Sequence, residues 1–205
     1  MDIKTLNYYN INYESIVSLY NSNSSKPKYL DILNLPNNHI DKILDVGFGS
    51  GRDLIFLSQE GYTMYGIEGS DKFIENLLAS NPEYSERIKK CILPSVNNPF
   101  NVLFDVIICS AVLMHLYDDD IGKTLGAFSE WLNKKSLIYI SIPKKRNDIG
   151  DDFRDKHGRY FNPVKPEFIT KILSQYGFTC SQISSSGDGL SRDGIEWWNL
   201  VYERK

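Results

Sequence analysis

Cysteine is scarce in this 205-residue chain: there are three, Cys91, Cys109 and Cys180, far apart and in no paired spacing. That leaves nothing for a zinc knuckle, a redox couple or a disulfide framework, and reduced, mostly buried thiols fit a cytoplasmic setting. Long apolar runs are missing too. The longest, residues 106–114, falls short of the roughly 20 residues needed to span a bilayer. Met1-Asp2-Ile3-Lys4 lacks the basic-then-apolar pattern of a secretion signal. Basic charge is not in excess, since 23 Lys and Arg face 26 Asp and Glu for a net charge of -3. That argues against a nucleic-acid footprint spread over the whole surface. The one basic concentration, Lys144-Lys145-Arg146 with Arg154, Lys156 and Arg159, is the feature that would favour an anionic or nucleic-acid ligand. There are no repeats and no low-complexity tract beyond the polar residues 21–25.

What is present suits a globular domain with a real core: 41% of residues are hydrophobic and 24% charged. The most informative stretch is Lys42-Ile43-Leu44-Asp45-Val46-Gly47-Phe48-Gly49-Ser50-Gly51-Arg52-Asp53. Its apolar start reads as a buried strand. Three glycines at alternate positions then mark a turn where main chain must meet a ligand, and Leu54-Ile55-Phe56-Leu57 opens a helix. Strand, turn and helix together make a nucleotide-sized site at the carboxyl end of a parallel strand. The loop lacks the closing Gly-Lys-Ser/Thr of a phosphate cradle. Its glycines fall at positions one, three and five, whereas a dinucleotide fingerprint needs one, three and six. Asp53 puts a carboxylate where a phosphate would otherwise sit on the positive helix end. With Asp45 just ahead, the loop suits a ligand bearing an amino group and no phosphate.

Thr63-Met64-Tyr65-Gly66-Ile67-Glu68 reads as a second strand ending in an acid, which can accept both hydroxyls of a ribose. Gly69-Ser70-Asp71 caps a helix through Phe73, Ile74, Leu77 and Leu78. On these residues, segment 42–78 resembles the cofactor half of the class I S-adenosylmethionine-dependent methyltransferases. The resemblance implies S-adenosyl-L-methionine as cofactor, with Gly47, Gly49 and Gly51 approaching its methionine part beside Asp45, Arg52 and Asp53. It places Glu68, Gly69 and Ser70 at the ribose, Leu93, Pro94 and Ser95 at the adenine, and Ser110 and Ala111 against the cofactor. His115 would face the transfer site, as pocket lining or as a base with an ordinary pKa near neutrality. One departure stands out: no Asp or Glu lies between residues 88 and 104. The adenine amino group would therefore meet main chain or the Ser95 hydroxyl. Methyl transfer is chiefly a matter of positioning, so no metal or covalent nucleophile is expected.

Along the chain, residues 2–20 read as helical with Tyr8, Tyr9, Tyr13 and Tyr20, 21–27 as a loop, and 28–35 as a short helix stopped by Pro36. These form an expected helical cap, 1–40, on a methyltransferase-like domain, 41–205. Further strands are expected at 88–93, 104–110, 136–142, 178–185 and 195–203, with helices from Asp118 through Leu132 and from Pro163 to Gly177. Residues 143–162 read as a long polar loop, either solvated or a lid over a polar acceptor. The alternation predicts an α/β, doubly wound, mostly parallel seven-stranded sheet with an antiparallel C-terminal strand at its edge and helices on both faces. Trp197 and Trp198 should face opposite sides of that sheet. A monomer or weak homodimer acting on a small polar metabolite is favoured over one acting on protein or RNA. A non-catalytic cofactor-binding module and an NAD-dependent reductase are the alternatives.

Overall fold

The structure is a computed structural model that describes residues 1–22, 27, 30, 40–190 and 192–204. Seven strands run in the spatial order β3-β2-β1-β4-β5-β7-β6. They are β1 Lys42–Val46, β2 Thr63–Glu68, β3 Ile88–Lys90, β4 Phe104–Ser110, β5 Leu132–Arg146, β6 Phe178–Gly187 and β7 Ile195–Arg204. The first five are mutually parallel, while β7 runs antiparallel to both β5 and β6. The expected doubly wound sheet is therefore present. The reversed strand, however, lies inside the sheet rather than at its edge. The hairpin folds β7 back between its two parallel neighbours and leaves β6 outermost.

The helices are α1 Ile3–Ile11, α2 Tyr13–Asn21, α3 Arg52–Gln59, α4 Asp71–Ser80, α5 Asp118–Trp131 and α6 Pro166–Ser174. Successive strand residues point to opposite faces, and each face has its own core. Leu44, Ile107, Ile138 and Leu200 pack with α5 and α6. Ile43, Ile108, Tyr139 and Val201 pack with α3 and α4, where Tyr9, Tyr13, Ile16 and Val17 of α1 and α2 also lie. None of the helices among the described residues is long and apolar enough to cross a membrane. The helix expected at 28–35 falls almost wholly outside the described residues. Of the three thiols, Cys109 is buried and Cys91 and Cys180 are half-buried; all are free.

Two boundaries differ from the sequence reading in ways that matter for the site. Strand β3 stops at Lys90, so Leu93 lies beyond it. Strand β5 continues past Ile142 to Arg146, pairing Pro143 with Trp197 and Arg146 with Ile195 across a bulge. A bulge bends a strand and re-aims its side chains; polar Lys144 and Lys145 hide this extension from periodicity. The loop that follows is braced, not solvated throughout. Phe161 N donates to Phe153 O (2.7 Å), Tyr160 N to Thr5 Oγ1 (2.8 Å), and Asn162 N to Met114 O (2.6 Å). Arg154 grips Asp2 through both terminal nitrogens, at 2.8 and 3.1 Å. Asp2 also caps α1 by accepting from Thr5 N at 2.8 Å. The bonds to Thr5 and Asp2 tie the loop to the N-terminal segment, and the one to Met114 ties it to the segment after β4.

Candidate cofactor and acceptor site

The carboxyl ends of β1, β2 and β4 open into a cavity of about 230 Å³. A second one, of about 150 Å³, shares Tyr20, Arg52, Asp53, Ser110, Ala111, Arg192 and Trp197 with it. Of the residues expected from sequence, Asp45, Gly47, Gly49, Arg52, Asp53, Glu68, Ser110, Ala111 and His115 line the larger cavity. Gly51, Gly69, Ser70, Leu93, Pro94 and Ser95 do not.

The three glycines all have positive φ but do different work. A Cβ on Gly47 would lie 2.6 Å from Val112 Cγ2, and one on Gly51 2.6 Å from Leu77 Cδ1. Those two are required by packing against Val112, just beyond β4, and against α4. Of the three, Gly49 alone has open space where a side chain would project, so the turn is open to a ligand on that side.

The acids differ just as sharply. Asp45 is 5% exposed and accepts no hydrogen bond and no ion pair among the described residues. Burial first, then the nearby charges of Asp53 and Glu68, push its pKa well above the usual carboxylate range. Asp53, in contrast, is paired with Arg52 beside it at 2.7 Å. Glu68 accepts from Gly49 N (3.0 Å), Gly69 N (2.8 Å) and Ser70 N (2.9 Å). It thereby ties the glycine turn to the start of α4. Burial nevertheless raises its pKa, against the lowering by those three donors.

Ser70 is fully buried, with its hydroxyl on Asn10 at 2.7 Å and capping Phe73 N. Leu93 belongs to the core, and Ser95 Oγ turns to Asn97 O at 3.3 Å. Met1 and Leu6 of the N-terminal segment line the cavity instead. Ala111 holds φ of 58°, an unfavourable region for a residue with a Cβ. Its N–H donates to Ser141 Oγ at 2.9 Å.

His115 is 3% exposed and its ring is fixed at both nitrogens. Nδ1 lies 2.6 Å from Tyr160 O, which only accepts, so Nδ1 carries the proton. Nε2 then accepts from the Tyr9 hydroxyl at 3.0 Å. Burial pushes the His115 pKa down to about 4 and that of Tyr9 up to about 12. Both groups are neutral at neutral pH, and His115 has no free lone pair with which to take a substrate proton.

Sequence reasoning did not name Phe48, Phe73 or Phe161 for the site; Val112 and Met114 of the stretch after β4, Arg192 between the last two strands as a possible wall of the acceptor pocket, and Arg146 and Arg159 of the basic group that favours an anionic acceptor were within its reach, and all line the cavity. The tyrosines of residues 8–20 could either cover the site or pack on the flank of the sheet. Tyr9 and Tyr20 do line it, whereas the Tyr13 hydroxyl turns outward to Glu14. Trp197 faces the cavity and Trp198 packs on the opposite core, as strand periodicity predicts.

A family model described as a methyltransferase domain matches residues 20–183. The chain belongs to that family. The match and the sheet order bear out the resemblance to the class I S-adenosylmethionine-dependent methyltransferases. Among curated proteins it is 22% identical over 149 residues to glycine/sarcosine/dimethylglycine N-methyltransferase of Actinopolyspora halophila, covering 68% of this chain and 26% of that one. It is 25% identical over 158 residues to phosphoethanolamine N-methyltransferase 1 of Triticum aestivum, covering 73% and 30%. The chain thus spans under a third of the length of these relatives. Among solved structures, it resembles the Burkholderia thailandensis 1,6-didemethyltoxoflavin-N1-methyltransferase holding 1,6-didemethyltoxoflavin and S-adenosylhomocysteine. There the TM-score is 0.69 at 17% identity, over 95% of this chain and 84% of that one. The [4+2]-cyclase SpnF also shares the fold, with a TM-score of 0.61 at 14% identity over 82% and 76%.

Proposed function

We propose that this domain binds S-adenosylmethionine across the ends of β1, β2 and β4 and methylates a small polar acceptor, in the cytoplasm. The observation that carries the reading is Asp45, a buried carboxylate without a hydrogen-bond or ion-pair partner among the described residues, facing the cavity beside the open side of Gly49. An uncompensated buried acid opposes folding unless a cation meets it, and the ammonium of the methionine part is such a cation. In this reading Gly49 lets the main chain approach, and Glu68, with capacity left on its oxygens, takes the ribose side. Arg52 neutralises Asp53 beneath them. The bound cofactor supplies a methyl group already activated on a sulfonium. The chain's own part is positioning and exclusion of water.

His115 acts here as a positioning residue rather than a base. Its Nε2 accepts a hydrogen bond from the Tyr9 hydroxyl and so holds the phenol oxygen at the cavity. The N-terminal helices, tied by Asp2 to Arg154, close over the reacting end. The carboxylates speak against the NAD reading, because a pyrophosphate at the start of α3 would compete with Asp53 for Arg52 in the first helical turn and face Asp45 at the end of β1. The curated relatives are named for glycine, sarcosine, dimethylglycine and phosphoethanolamine, which supports a small amine-bearing acceptor. The test is transfer of label from methyl-labelled S-adenosylmethionine to pools of small metabolites, with RNA and protein pools alongside. Label in a small molecule supports the reading. Label only in macromolecules would overturn the acceptor class, and binding without transfer would favour the non-catalytic module.

A further inference from the structure

The cavity is lined by acids on one side and by a cluster of guanidiniums on another. Asp45, Glu68 and the Arg52–Asp53 pair stand on the β1–β2 side, while Arg146, Arg159 and Arg192 reach it from the end of β5, the loop after it, and the β6–β7 connection. The guanidiniums act on common neighbours: Arg159 and Arg146 both disfavour a charge on His115, and Arg159 disfavours one on Arg192. Three cations gathered at a half-buried cavity repel one another. Each is held by its own carboxylate, and always by the same edge. Arg146 uses Nε and Nη2 on Asp148 (2.9 and 2.5 Å), Arg159 uses them on Asp155 (2.8 and 2.6 Å), and Arg192 on Asp188 (2.8 and 2.8 Å). Nη1 of Arg146 and of Arg192 has no partner among the described residues. Nη1 of Arg159 has only the Tyr9 hydroxyl, at 3.5 Å. Phe161 lies 4.1 Å beneath the Arg146 guanidinium and 5.4 Å from that of Arg159, which fixes their planes. Arg154 is the contrasting case. It spends Nη1 and Nη2 on Asp2 and the Gly158 carbonyl and does not line the cavity.

We infer that Arg146, Arg159 and Arg192 form an oxyanion subsite that grips a carboxylate or phosphate group of the methyl acceptor, an inference that rests on the methyltransferase reading above. Guanidinium nitrogens held in a fixed fork match an oxyanion in both charge and geometry. With the aspartates locking one edge of each, the free edges are set before the ligand arrives. The acceptor is then anchored at the arginine side with its nucleophilic atom toward Tyr9 and the acidic side.

Isothermal titration separates the two levels. S-adenosylhomocysteine is titrated first. Acetate, inorganic phosphate and neutral acetamide are then titrated into the saturated protein at constant ionic strength. The expected result is saturable binding of at least one oxyanion and none of acetamide. Arg192→Gln, in an exposed loop, should weaken that binding about tenfold and leave S-adenosylhomocysteine affinity unchanged. Arg146→Lys, which keeps charge but loses the fork, should weaken it less than Arg146→Gln. Binding of acetate alone points to a carboxylate acceptor, and of phosphate alone to a phosphomonoester. Protein that binds S-adenosylhomocysteine but neither oxyanion, or an Arg192→Gln variant that binds both as tightly as wild type, overturns the subsite and leaves the cofactor reading standing. Lost S-adenosylhomocysteine affinity in Arg192→Gln would assign the arginines to the cofactor's own carboxylate and overturn the subsite as well. If S-adenosylhomocysteine does not bind at all, both the reading and the subsite fall.

Discussion

At Asp45, stability and the proposed function pull in opposite directions. Its folded-state pKa is raised, so ionisation opposes folding: the cost is absent below the ordinary carboxylate range and grows as pH rises through the folded value. Asp45→Asn removes that cost, and the melting temperature of the ligand-free protein is expected to rise. Glu68→Ala is expected to do the reverse, since it strands the N–H groups of Gly49, Gly69 and Ser70. A loss of about 2–3 kcal/mol in denaturant unfolding, together with weaker cofactor binding, is the expected outcome. For His115 the sign is opposite to that of Asp45. Its folded pKa of about 4 lies below the ordinary 6.5, so its contribution to stability is full above pH 6.5 and declines as pH falls toward 4. Thermal melts of wild type and His115→Asn across that window should therefore converge at the acid end. An unchanged gap between the two would show that His115 is not held neutral. These roles were only half legible in the sequence. The acids announce themselves by position, but which one is unpartnered depends on Arg52 sitting against Asp53.

At the scale of elements, the glycine turn is one motif with two jobs. Gly51→Ala drives a Cβ into Leu77 and forces an L residue to a φ of 76°. It should cost roughly 2–3 kcal/mol of stability. Gly49→Ala meets open space and bears only the backbone strain, about 1 kcal/mol. Its larger effect should fall on cofactor affinity. Equal losses of stability in the two variants would contradict this division of labour. The strands that carry the turn were legible because β1 and β4 are apolar on both faces, which leaves little choice of state. The end of β5 was not, because Pro143, Lys144 and Lys145 look like loop until β7 pairs with them. Nor was the reversed strand's interior place, since a hairpin in sequence does not say which of its strands meets β5.

At the scale of the molecule, the site is closed by parts far apart in the chain. The N-terminal helices contribute Tyr9 and Tyr20, the loop after β5 contributes Arg159 and Phe161, and the β6–β7 connection contributes Arg192. The sequence leaves that convergence open: the charged loop after β5 reads equally as solvated surface or as a lid until Asp2, Asp155 and Asp188 are seen holding the arginines. The Asp2–Arg154 pair is the clasp between cap and loop. Arg154→Gln should speed amide hydrogen exchange in α1 and residues 150–160 while leaving the central strands protected.

The central claim is that Asp45 faces the positive end of an adenosyl ligand. Its most direct test is calorimetric titration of S-adenosylhomocysteine into wild type and Asp45→Asn, with NAD in a parallel cell. The expected result is one-to-one binding by wild type, affinity lower by about 1.5–3 kcal/mol in the variant, and no binding of NAD. Equal affinity in the two proteins, or a cavity that takes NAD and refuses S-adenosylhomocysteine, would contradict it.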